Sequence, residues 1–140
     1  MTSPTDELQE AIYGRLTGDA AVTALIGQRV YDNVPRGADG AVTAQFPYAS
    51  FGPSDELSDD AECITGFDIS MQIDVWSREP GYPEARQAAD AVRQALHDHE
   101  FNLTGNALVY FKHRVTRFFR DPDGLTSHAA LTFQAFAEQP

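Results

Sequence analysis

From Phe67 to Val75 every odd position is apolar (Phe67, Ile69, Met71, Ile73, Val75), while Asp68, Ser70, Gln72 and Asp74 between them are polar. Strict alternation in a stretch rich in β-branched and aromatic residues predicts a strand running to Trp76, with one face buried and the other wet. Downstream the period changes. Ala85, Ala88, Ala89, Val92, Ala95 and Leu96 fall on one stripe of a helix spanning 83–97. A half-buried strand feeding a one-sided helix implies a sheet with a helix laid on one face.

The remaining elements follow from similar signals. Ser3 and Pro4, followed by Asp6 and Glu7, mark a helix start with acids at the positive dipole end. Leu8, Ile12 and Leu16 give that helix its apolar stripe, and Gly18 stops it. Asp19 caps a second short helix through Leu25 and Ile26, ended by Gly27. Short strands are predicted over 30–34 and 46–51, the second with Pro47 near its start, as suits an edge. Residues 107–120 form a long strand. Asp121-Pro122-Asp123-Gly124 is a turn, and 126–136 returns as the hairpin partner with Ala129, Leu131, Phe133 and Ala135 inward. The segments 35–45 and 53–66 are expected to be mobile loops. The order predicts an α+β fold: a largely antiparallel mixed sheet with two or three helices on one face, in a single domain over 1–140.

At 140 residues the chain is long enough for a substantial core, since a chain of this size buries about 70% of the surface its unfolded form exposes. Its net charge of −11 disfavours a grip on nucleic acid or on an anionic membrane. DNA passing by without being held stays compatible with it. The single cysteine, Cys63, leaves no partner for an intrachain disulfide. A polar, acidic start without basic and apolar segments is the pattern of a chain with no signal peptide, and no apolar run approaches the ~20 residues of a membrane span. An intracellular, soluble protein is therefore expected.

Candidate chemistry is sparse. His97, His99 and Glu100 are metal-ligand types, but the i, i+2 spacing does not put two ligands on one helical face; imidazoles at a helix C-terminus also suit its negative end. Cys63 follows a run of acids, which opposes thiolate formation, so His113 or His128 would have to activate it from afar. Asp121 and Asp123 open like a calcium loop, yet the later glycine and glutamate do not follow at the required spacing. A small metal-dependent hydrolase would need several of these histidines and carboxylates to converge. No catalytic residue, cofactor or metal site is expected.

Charge is distributed more suggestively. Residues 53–62 carry Asp55, Glu56, Asp59, Asp60 and Glu62 with no cation among them. Lys112, Arg114 and Arg120 share one parity of the 107–120 strand, and Arg117 lies on the other. Such a cationic row is either a solvated sheet face or a dock for acids elsewhere. Opposite patches at different places on one chain suit a heterologous contact between copies, which closes into a ring when the rotation permits. These nine residues are the candidate subunit or partner interface.

Four segments, VYDNVP (30–35), FPYASFG (46–52), IDVWSREPGYPEARQAADAVRQALH (73–97) and RFFRDPDGLTSHAALTFQAF (117–136), resemble in order and spacing the tail completion, or tail terminator, family of long-tailed phages and gene transfer agents. The acidic 53–62 segment and Cys63 lie outside the resemblance. What it implies is a structural role: a ring, typically hexameric, on the last ring of the tail tube, halting polymerisation and facing the head-side connector. The implied partners are further copies of the chain, the tube protein and a connector or stopper protein, with DNA passing through the channel. The implied location is the bacterial cytoplasm during assembly and then the tail–neck junction of the particle. A neighbouring neck or head-closure protein shares this size and ring habit.

Overall fold

The computed structural model describes residues 2–140. Helix α1 (Pro4–Gly18) begins where the Ser3 hydroxyl accepts the Asp6 amide, and it buries Pro4, Leu8, Ile12 and Leu16. Asp19 caps α2 (Ala20–Ile26) by accepting the Val22 amide, and Gly27 at φ 58° ends it. That left-handed backbone is one a side chain would strain. Then come β1 (Val30–Tyr31), β2 (Tyr48–Ser58), β3 (Thr65–Ser77), α3 (Pro83–Leu96), β4 (Ala107–Arg120) and β5 (Ser127–Gln139). Five strands form one sheet in the order β1-β2-β3-β5-β4, parallel only between β1 and β2.

The alternation in β3 sets the layers. Ile69, Met71, Ile73 and Val75 face the helices with Ala129, Leu131, Phe133, Ala135 and Ala137 of β5, all nearly inaccessible. Ala88, Ala89, Val92, Ala95 and Leu96 of α3 and the α1 stripe close over them. Small alanines on α3 and β5 let the helix lie close to the sheet. Among the described residues the other sheet face carries no helix. It is not uniformly wet, however: Asp74 and His128 on that side are buried.

The 53–58 segment, expected as loop, is strand. It pairs with β3 through Asp55↔Ser70, Glu56↔Ile69, Leu57↔Asp68 and Ser58↔Phe67, after a bulge between Phe51 and Ser54. No apolar alternation announces it because both of its faces are exposed. A charged, bulged strand is how soluble sheets blunt an edge. The 30–34 strand shortens to Val30–Tyr31, and 35–45 is closed by an Arg36↔Val42 bridge.

A second bulge corrects the parity of the basic row. Between His113 and Val115 β4 gains a residue, and an inserted residue swaps the faces of everything beyond it. Lys112 opposite Gln134 and Arg117 opposite Ala130 therefore share the open face, whereas Arg120, opposite Ser127, lies on the helix side over the Tyr82 ring.

The N-terminus is tied to the far end of the sheet by Glu7. Its carboxylate accepts the Gly105 amide, the Thr104 hydroxyl and the Asn106 side-chain amide. These bonds, the Gly105 amide foremost, hold the Glu7 pKa below the usual carboxylate range. A depressed folded-state pKa stabilises above the unfolded value and loses that contribution as pH falls through the folded one. Glu7→Gln is expected to flatten the acid limb of stability against pH, leaving the neutral-to-alkaline part without added slope; urea unfolding across pH measures it.

Candidate assembly interface

The acidic segment forms one end of the sheet. Its turn is built by reciprocal Ala61 and Ile64 amide–carbonyl bonds, by Asp59 N–H to the Gly66 carbonyl, and by Gly66 N–H to Asp60 Oδ1. Gly66 is required there, because a Cβ would sit 2.4 Å from the Asp59 carbonyl oxygen and 2.7 Å from the Phe136 ring. Asp55 and Leu57 pair with Ser70 and Asp68 and so project on the open face. Glu56 projects on the other and accepts the Thr5 hydroxyl at the start of α1. Leu57 is 63% exposed, an unusual position for a leucine on a strand.

The cations stand on the opposite edge strand. Among the described residues Lys112, Arg114, Arg117 and Arg120 make no ion pair; the pairs present are Arg93–Asp90, His97–Asp98, His128–Asp74 and His128–Asp121. Arg120 is engaged instead by Tyr82, whose ring also receives Arg86. Between the two edges the open face forms a trough of about 320 Å³ lined by Asp55, Leu57, Asp68, Ser70, Arg114 and Thr132, among others. Acid stands on one wall and base on the other, too far apart to pair within one chain.

The histidines do not converge. His97 Nδ1 accepts the His113 amide at 3.0 Å, and the His113 ring lies 2.6 Å from the Thr116 hydroxyl. His99 packs against Phe101. Burial, and secondarily Arg15, lowers the His99 pKa; burial, and secondarily Arg93, lowers that of His113. Cys63 is exposed in the acidic turn at φ 61°. Among the described residues no three His, Cys, Asp or Glu side chains are arranged to hold a metal. Asp121 and Asp123 sit in the β4–β5 turn, where Asp123 accepts the Leu125 and Thr126 amides, and those bonds lower its pKa. No helix in the described residues is long and apolar enough to cross a membrane.

Residue spacing did not disclose the cluster around His128. Its Nε2 lies 2.6 Å from Asp74 Oδ1, and its ring stacks on Trp76 at 3.8 Å and meets Phe119 at 4.5 Å. The register lines up Tyr48, Trp76, His128 and Phe119 as one row across four strands. Trp76 donates to Ser50 Oγ and Gln72 to Asp74, so the polar groups beside the row are bonded to one another. Only the polar parity of Asp74 is legible in the sequence; the pairing of its strand with that of His128 is not.

Residues 10–138 match the family described as tail completion protein gp17. The chain belongs to that family. Both the acidic arm and the β4 cations fall inside the matched range. A solved structure titled as the virion of a native gene transfer agent particle contains a chain of the same fold. The two superpose with a TM-score of 0.87 and 30% identity, over 99% of each chain. No curated protein matches the sequence. Membership makes this, in kind, a structural tail protein of the phage and gene-transfer-agent type.

Asp74→Ala would leave the His128 ring and the Gln72 amide without their shared acceptor. A buried polar group stripped of its partner costs about 1–3 kcal/mol. Urea unfolding, followed through Trp76, the sole tryptophan, is expected to show a loss of that size.

Proposed function

We propose that the protein forms a ring, hexameric as the family resemblance implies, at the head-proximal end of a tail tube, where it stops tube growth and joins the tail to the head connector. The observation that carries this reading is the near-complete superposition on a chain of an assembled gene transfer agent virion, together with membership of the tail completion family. The role calls for no bond-making. It needs a ring with two unlike faces, one complementary to the tube end and the other not, so that subunit addition halts. Copies assemble in the bacterial cytoplasm and remain in the particle at the tail–neck junction.

In this reading the contact between copies is charge-assisted. Asp55, Asp59, Asp60 and Glu62 of one copy meet Lys112, Arg114 and Arg117 of the next; Glu56, bonded to Thr5, and Arg120, held over Tyr82, lie on the helix side and border the contact. The pairing is heterologous, with a different patch on each side, as a closed ring of identical subunits requires. The remaining surface is strongly acidic, since the chain carries 21 Asp and Glu against 10 Lys and Arg. A channel of that sign lets DNA slide past without being held.

Deleting the gene is expected to give overlong tubes or heads that never acquire tails, scored by electron microscopy of lysates. Attached tails of normal length would refute the role. A neck or head-closure position predicts normal-length tubes lying free, and the subunit's place in a map of the particle separates the two. Raising salt to 1 M, where the Debye length is ~3 Å, is expected to shift the assembled mass toward single chains. An assembly indifferent to salt would point to an apolar contact instead.

A further inference from the structure

The two charged patches lie on the two open edges of a single sheet, and that placement specifies more than attraction. β2 is antiparallel to β3, β3 to β5 and β5 to β4. Three reversals leave β2 and β4 running in opposite directions. When copies are set side by side in the same orientation, β4 of one therefore meets β2 of the next antiparallel, the sense in which the sheet already grows. Both edges are partly closed. β1 covers β2 only at Ala49 and Ser50, and Pro53 has no amide to donate, which leaves Ser54–Ser58. On β4, the Phe111 carbonyl is taken by the Asp98 amide and the His113 amide by His97, which leaves Arg114–Arg120.

We infer that these two free segments anneal between copies as antiparallel strands, so that the ring is joined by main-chain hydrogen bonds as well as by charge. This rests on the ring proposed above and gives its contact an address. One register satisfies the side chains on the open face. With Arg117 opposite Asp55, Leu57 falls opposite Val115, because antiparallel neighbours advance in opposite directions. Asp55 and Leu57 project on the open face, as do Arg117 and Val115. Leu57 and Val115, 63% and 39% exposed in the single chain, cover each other. Directly opposed ionic and apolar pairs are the units by which antiparallel strands stabilise one another. Lys112, on the same face, reaches toward Asp59.

The register also fixes how copies are staggered. Within one chain, the row that begins at Asp55 runs through Ser70 and Gln134 to Lys112. Pairing Asp55 with the neighbour's Arg117 instead of extending that row slips each copy by about four residues over four strands, roughly one residue per strand. With a rise of ~3.3 Å and a strand spacing of ~4.8 Å, that slip is a tilt of roughly 35°, within the range at which sheets curl around an axis. A flush register would bring Asp55 against the part of β4 already closed by His97 and Asp98.

Lys112 is the only lysine in the chain, so zero-length carbodiimide coupling reports its neighbour without any substitution. A mixture of light and isotope-labelled protein, both concentrated and in assembled particles, is expected to give a dimer-sized product whose amide joins Lys112 of one copy to Asp59 or another arm carboxylate of a second. Coupling of Lys112 only to carboxylates outside 55–62, or no intermolecular product in either sample, would overturn the strand contact. In a charge-swap series, Asp55→Arg and Arg117→Asp are each expected to reduce assembly about tenfold, the cost of opposing like charges. The double variant is expected to restore it to within about twofold of the parent. Both sites are exposed, and circular dichroism checks that each variant is folded. Single variants that assemble normally, or a double variant no better than the singles, would overturn the register. Absence of the protein from tailed particles would sink the tail role itself. Its presence there with Lys112 linked elsewhere sinks only the annealed edges.

Discussion

The fold depends on the β3–β5 ladder. It runs without a bulge from Thr65↔Gln139 to Ser77↔Ser127, and from Phe67↔Ala137 to Val75↔Ala129 every other pair puts two apolar side chains under the helices. Slipping such a register by one residue would turn Ile73 and Leu131 out to solvent, so the hydrophobic effect locks it. Everything else is referred to that ladder. β2 and β4 attach to its two sides, β2 with one bulge and β4 with two. α3 rests its alanine stripe on it, and the aromatic row on the open face is aligned by it.

The elements legible in the sequence are those in which burial enforces a period. β3, α3 and the caps of α1 and α2 fall within a residue or two of where the apolar spacing, Ser3, Asp19 and Gly27 put them, and β5 begins within a residue of its expected start but runs three residues past its expected end. The acidic arm was not legible, because an edge strand exposed on both faces carries no alternation. The parity of the basic row failed for a different physical reason. A bulge shifts the faces by one residue, and nothing in FKHRVTRFFR marks where the extra residue sits. The pairing of Asp74 with His128 depends on which strands are neighbours, and β5 lies between β3 and β4 out of chain order. The structure puts all nine charged candidates on the two edge strands or in the turn between β2 and β3, with Arg120 turned toward Tyr82.

Membership of a tail completion family points toward a protein that acts through its surfaces. The groups left unsatisfied in a single copy are of the kinds that association satisfies. They include strand edges, cations without counter-ions, and leucine and valine side chains in water.

An assembly that joins unlike edges contains no two-fold axis perpendicular to its own, so every protomer points the same way around the circle. The top and bottom of such an object are chemically different surfaces however many copies it holds. A component made this way is vectorial by construction, and whatever threads through it meets an entrance and an exit that are not interchangeable.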